Sequence, residues 1–208
     1  MIGIIDYGMG NLQSVSNAFR ALGFGAFIAS RPDELDRADR IVLPGVGAFG
    51  GGIAELRRGG WDRRVKESAE AGMPLIGICL GMQLMFEKSC ENGCHSGLGL
   101  FPGRVERIAD GFSPDGKKLK IPQIGWNKLE MRKKSAILTG SDGVYVYFVH
   151  SYHAVTEPEY VSSVTSYGAD ITASVERGNV FGMQFHPEKS GERGLGILRK
   201  FAELKGGL

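Results

Sequence analysis

Apolar residues along this chain fall into two rhythms. In the first half, short unbroken apolar runs alternate with stretches whose apolar residues recur every three or four positions. Unbroken runs suit strands buried on both faces, and the longer period suits helices with one buried side. Residues 2–6 read as a strand. Asn11 can cap a helix whose Leu12, Val15, Phe19 and Leu22 share a face, with Gly23 as its stop. A second strand is predicted at 24–29, a short helix opening at 30–33, a third strand at 41–43 and helices near 52–58 and 61–71, the last closed by Gly72. A further apolar run ends at Ile78. This βαβα order predicts an α/β fold with a doubly wound, mainly parallel sheet.

The second half changes character. Residues 144–150, 154–156, 160–167, 172–176 and 180–184 are short, β-branched and aromatic, with Gly168 and Arg177-Gly178-Asn179 as turns. They predict antiparallel strands that extend the sheet. Ser190 can cap a last helix carrying Leu195, Leu198, Phe201 and Leu204 at helical spacing. No internal repeat and no linker interrupts the pattern, so one domain is expected over 1–208.

Composition narrows the classes. Of 208 residues, 42% are hydrophobic and 23% charged, as in a globular protein with one sizeable core. The net charge is +2 and no basic block appears, which gives nucleic-acid binding no support. No apolar stretch approaches the roughly 18 residues of a membrane span, and the opening segment reads as a strand rather than a signal peptide. Three cysteines, without a disulfide framework, fit a reducing cytoplasm.

The candidate chemistry begins at Gly77-Ile78-Cys79-Leu80-Gly81. An apolar strand, a sharp turn and a helix around a central nucleophile form a nucleophile elbow, here with cysteine. The glycines leave room for the turn. The positive end of the following helix favours the thiolate. A lone cysteine beside an apolar strand is also a common inert core residue, so distant residues must decide. His186-Pro187-Glu188 follows directly on an apolar strand. In an extended stretch stiffened by Pro187, the two side chains would share a face, and a carboxylate beside an imidazole fixes its tautomer and stabilises its charged form. Alone, the pair would suit an ordinary surface loop. Pro44-Gly45-Val46-Gly47 ends another strand. Its backbone N–H groups, with that of Leu80, could hold an oxyanion. It could also be an ordinary glycine turn, and it is no phosphate loop, because no Gly-Lys-Ser/Thr follows.

Taken together, Gly77 to Gln83, the Pro44-to-Gly47 loop and His186-Pro187-Glu188 resemble the class I, triad-type glutamine amidotransferases. Asp6-Tyr7-Gly8-Met9-Gly10-Asn11-Leu12, Ile121-Pro122-Gln123-Ile124-Gly125-Trp126-Asn127 and Tyr147-Phe148-Val149-His150-Ser151-Tyr152 are similar to the glutaminase subunits of imidazole glycerol phosphate synthases. The resemblance runs from the first strand to the last helix. It implies a flavodoxin-like fold and a Cys79, His186, Glu188 triad, with backbone donors at Val46, Gly47 and Leu80. It further implies L-glutamine held by Gly47, Gln83, Ser151 and Tyr152. No cofactor and no metal are implied.

A glutaminase alone fills this chain, so a partner is expected to use the ammonia. In the resembled family that partner is a (β/α)8-barrel cyclase of histidine biosynthesis, which would form a heterodimer with this chain. By the same resemblance Asn11, Gln123, Trp126, Tyr147 and Lys189 would face it near the ammonia path, Trp126 from a Gly-Trp-Asn turn. Two alternatives stand beside this reading. One is a glutaminase serving another synthase, such as that of pyridoxal phosphate. The other is a non-catalytic regulatory subunit. Cys90-Glu91-Asn92-Gly93-Cys94-His95 departs from the family pattern. Cys-x3-Cys-His hints at a metal site, but Zn²⁺ wants four ligands, or three plus water, and nothing in the sequence brings His150 or His153 there, so a variable surface loop with two free thiols is expected.

Overall fold

The computed structural model describes residues 1–113 and 116–204. The first half runs β1 (Ile2–Ile5), α1 (Leu12–Ala21), β2 (Ala26–Ala29), a 3-10 turn over Pro32–Arg37, β3 (Arg40–Leu43), α2 (Phe49–Arg58), α3 (Trp61–Glu70), β4 (Leu75–Ile78) and α4 (Leu80–Leu84). This is the predicted alternation, with boundaries moved by a few residues. Asn11 occupies the N-cap of α1, but its side chain makes no cap hydrogen bond.

Beyond α4 come β5 (Phe86–Ser89), β6 (His95–Ser96), β7 (Phe101–Arg107), β8 (Gln123–Lys128), β9 (Glu130–Met131), β10 (Tyr145–His150), β11 (Tyr152–Val155), β12 (Val161–Ser166), β13 (Asp170–Arg177) and β14 (Val180–Met183). A 3-10 turn over Pro187–Lys189 then leads into α5 (Gly191–Glu203). The central sheet has the order β2-β1-β3-β4-β14-β13-β12-β9. Strands β2, β1, β3, β4 and β14 are parallel, and β13, β12 and β9 continue it in antiparallel pairs.

The sheet is covered on both faces. On one, Leu43 and Leu75 of the sheet cluster with Phe49, Ile53 and Leu56 of α2 and Trp61 of α3. On the other, Ile4, Val42 and Phe181 of the sheet cluster with Phe19 of α1 and Leu198 and Phe201 of α5. That is why β1, β4 and β14 are buried at every position.

Two expected additions to this sheet lie elsewhere. Strand β10 pairs with β8 in a two-stranded ribbon, and β11 joins β7, β5 and β6 in a separate sheet. Burial explains the difference. Positions along β10 alternate between inside and outside, so the strand covers the core from one side instead of lying between two layers. Trp126, expected in a turn, stands within β8. Among the described residues no helix is long and apolar enough to cross a membrane.

Candidate active site

Strand β4 delivers Cys79 to the rim of the sheet in a strained conformation, φ 56° and ψ −114°. Its N–H donates to the Met183 carbonyl at 2.7 Å, and its carbonyl accepts from Gln83 N at 3.2 Å. The flanking glycines are sterically required. A Cβ on Gly81 would lie 1.8 Å from the Leu43 carbonyl oxygen, and one on Gly77 would lie 2.7 Å from Met82 N. Helix α4 has only five residues, so the field at the thiol comes from its first-turn N–H groups rather than from a long axis.

His186 follows β14, the strand beside β4, and is buried. Its Nδ1 lies 2.8 Å from Glu188 Oε1. The backbone here is not the expected extended stretch, because Pro187–Lys189 forms a 3-10 turn, yet the two side chains still meet. Ser190 explains how the turn is held. Its hydroxyl donates to the His186 carbonyl at 2.6 Å and accepts from Tyr147 N at 3.0 Å, instead of capping α5 as the sequence suggests. Burial alone pushes the imidazole pKa down. Hydrogen bonding to Cys79 and Glu188, and the charges of both, outweigh burial and raise it to about 9.

Cys79, Leu80, Val46, Gly47, Gln83, Ser151, Tyr152 and His186 line one cavity of about 330 Å³. Glu188 stands behind His186. Gly45 lies tight against the elbow. A Cβ there would fall 2.5 Å from the Tyr7 hydroxyl and 2.8 Å from Gly81 N, and Gly47 holds φ +100°. Gln83 Nε2 donates to the Tyr152 carbonyl and to Gln184 Oε1, both at 2.9 Å.

Four residues at this site carry no role in the sequence reading. Gln184 Nε2 donates to Cys79 Sγ at 3.8 Å. Glu91 lines the cavity and accepts from Phe49 N at 2.6 Å, at the start of α2. Tyr7 is buried, and its hydroxyl has no partner among the described residues; burial first, then the nearby Cys79, keeps it un-ionised, with a pKa pushed above the usual tyrosine range. His150 Nδ1 lies 2.8 Å from the Tyr152 carbonyl. A carbonyl can only accept, so Nδ1 carries the proton, and Nε2 is a buried acceptor with no partner among the described residues. Burial lowers the His150 pKa to about 4, overriding the Tyr152 hydrogen bond. Only the hydrophobic spacing of β10 could have marked His150, as an inward position.

The residues expected to face a partner divide in two. Trp126, half exposed at 52%, packs edge-on to Tyr147 at 6.1 Å, and Lys189 Nζ stands 5.9 Å from the Tyr147 ring centre. Gln123 is instead fully buried, with neither amide atom bonded among the described residues. It pairs with His150 in the ribbon where Trp126 pairs with Tyr147. The ribbon therefore leads from the cavity to an exposed aromatic surface. Asn11 precedes α1, which packs on the Pro187–Lys189 turn. Among the described residues no group of three or more His, Cys, Asp or Glu side chains could hold a metal ion.

A parallel sheet with a cysteine elbow beside a His-Glu pair defines a class, and the family model for class-I glutamine amidotransferases matches residues 3–204. The chain belongs to that family. Its curated relatives are more particular. It is 49% identical over 205 residues to the imidazole glycerol phosphate synthase subunit HisH of Geobacillus sp. (strain WCH70), covering 98% of this chain and 97% of the relative. It is 46% identical to the subunit of the same name from Bacillus velezensis, with 98% and 96% covered. Among solved structures, a glutamine amidotransferase superposes with a TM-score of 0.74 over 97% of this chain and 98% of its own, and PurLQS from Thermotoga maritima with 0.75 over 97% and 96%. Each is 20% identical to this chain, and the likeness is one of fold.

Proposed function

We propose that this chain is the glutaminase subunit of an imidazole glycerol phosphate synthase. In that role it releases ammonia from L-glutamine for a cyclase partner in histidine biosynthesis. The observation that carries the reading is the position of His186, whose Nδ1 lies 2.8 Å from Glu188 Oε1 and which lines one cavity with Cys79. The protein would act in the cytoplasm as a heterodimer with a (β/α)8-barrel cyclase, and 1–208 would form one amidotransferase domain.

In the proposed cycle, the Cys79 thiolate attacks the δ-carbonyl carbon of glutamine. Backbone N–H groups of Val46, Gly47 and Leu80 take up the oxyanion. His186, charged at neutral pH, gives its proton to the amide nitrogen, and ammonia leaves a thioester on Cys79. Water then attacks the thioester, His186 accepts its proton, and glutamate departs as the thiolate reforms. Glu188 keeps the imidazolium oriented. Gln83, Ser151, Tyr152 and Gly47 would bind the substrate. Glu91 adds a carboxylate on the cavity wall suited to the α-ammonium group. Gln123 would mark the inner end of the ammonia path, and Asn11, Trp126, Tyr147 and Lys189 the docking face.

A glutamine-like electrophile such as diazo-oxo-norleucine tests the reading. It should label Cys79 stoichiometrically and leave Cys90 and Cys94 free. An unlabelled Cys79 would favour a non-catalytic regulatory subunit.

A further inference from the structure

Two free, exposed thiols flank the turn that carries Glu91. In the β5–β6 hairpin Lys88 is opposite Ser96 and Ser89 is opposite His95. One more step of this register sets Cys90 opposite Cys94, with Glu91-Asn92-Gly93 as the turn. Gly97 N donates to the Glu87 carbonyl at 2.8 Å, which makes that opposed pair a hydrogen-bonded one. Antiparallel pairs alternate, so the register, carried one residue past the last paired residues Ser89 and His95, would make Cys90 and Cys94 a non-hydrogen-bonded pair, a kind whose side chains share a face and whose Cα atoms lie about 4.5 Å apart. A disulfide requires roughly 4.4–6.8 Å. A pair in that register falls within the span that a disulfide bridges.

The two faces of the hairpin differ. Lys88, Cys90, Cys94 and Ser96 are exposed, whereas Ser89 is buried. Glu91 reaches Phe49 N, and the His95 ring lies where a Cβ on Gly50 of α2 would be, at 2.8 Å. His95 thus faces away from the thiols, and the three cannot converge on one metal ion. Cys90 N is also tied to the Val105 carbonyl at 3.0 Å, so one side of the turn is anchored on β7. The Cys94 side depends on the two-residue strand β6.

We propose that Cys90 and Cys94 are a reversible oxidation site for small-molecule disulfides of the glutathione class. Their bond staples the turn that holds Glu91 on the cavity wall. One thiolate displaces a thiol from the oxidant and forms a mixed disulfide. The opposed thiolate then attacks the protein sulfur of that bond and expels the second thiol. The two cysteines lose two protons and two electrons, the oxidant becomes two thiols, and a dithiol reductant reverses the exchange. Stapling removes the freedom that the turn would otherwise lose when Glu91 engages a ligand, so it should tighten glutamine binding. That coupling rests on the glutaminase reading; formation of the bond does not.

The test uses the full chain carrying Cys79→Ala, so that the elbow thiol cannot react. The protein is equilibrated with oxidised glutathione or with a dithiol reductant, then alkylated and mapped by mass spectrometry, and glutamine binding is titrated by calorimetry. The expected result is an intrachain Cys90–Cys94 bond and a glutamine Kd about two- to fivefold lower in the oxidised form. With Cys90→Ser added, Cys94 should carry a glutathione adduct and Kd should ignore the oxidant. Separate glutathione adducts on the two cysteines, or bonds between chains, would overturn the site. An intrachain bond with unchanged Kd would overturn the staple. Absence of glutamine binding in both states, with the bond formed, would instead count against the glutaminase reading.

Discussion

Gln184 donates from Nε2 to the Cys79 sulfur at 3.8 Å, while its Oε1 accepts from Gln83 at 2.9 Å. One buried side chain thus joins the candidate nucleophile to a cavity residue that is itself tied to the Tyr152 backbone. Under the proposed cycle, Gln184 is a positioning residue that holds the sulfur for attack.

Replacing Gln184 by Leu keeps its bulk and removes both links. Loss of a buried hydrogen-bonded partner costs about 1–3 kcal/mol, equivalent to roughly 5- to 150-fold. The expected outcome is a fall of that size in kcat/KM, borne mainly by kcat. Steady-state glutaminase kinetics with the cyclase present would measure it.

Glu188→Gln retains the shape beside His186 and removes the charge that helps raise its pKa. The glutaminase rate should fall by about two to four powers of ten. The alkaline limb of its pH profile, near 9 in the unaltered protein, should move to lower pH. A profile unchanged in shape would remove Glu188 from the proposed triad.

The same histidine links stability to pH. Its folded pKa lies above the usual 6.5, so its contribution is complete below about 6.5 and is lost as pH rises through about 9. His150 has the opposite sign. Its contribution is present above 6.5 and is lost as pH falls through about 4, because the unfolded imidazole binds a proton that the buried one refuses. Melting temperature against pH should decline on both sides, and Glu188→Gln should flatten the alkaline decline.

Gly81→Ala would place a Cβ 1.8 Å from the Leu43 carbonyl oxygen, a backbone atom that cannot rotate away. Overpacking costs about 1–3 kcal/mol or more. The variant should melt several degrees lower and lose glutaminase activity together, because the displaced loop and the elbow are the same contact. Thermal unfolding followed by an activity assay would show whether the two losses coincide.

Much of this was legible in the chain. Gly77 and Gly81 signalled the elbow because a tight turn beside a strand excludes side chains, and His186-Pro187-Glu188 stood out because charged chemistry follows an apolar run. What escaped was set by long-range pairing. Strands β5 to β8 are half exposed, or nearly so, and apart from the β5–β6 hairpin their partners are distant in sequence, so no local rhythm marks them. Trp126 looked like a turn residue beside Gly125, yet it pairs with Tyr147 across the ribbon. Glu91 lay in a loop without family counterpart, and only the folded hairpin brings it to the cavity. Gln184 was a polar end to a strand until β14 settled beside β4.

The central claim is that Cys79 releases ammonia from glutamine for a partner. The most direct measurement is glutamate formation by the unaltered chain and by Cys79→Ala, each alone and with a cyclase subunit and its ligand. The account predicts weak activity in the isolated chain, strong stimulation in the complex and none in either state for the folded variant. Substantial glutamate formation by Cys79→Ala would contradict it.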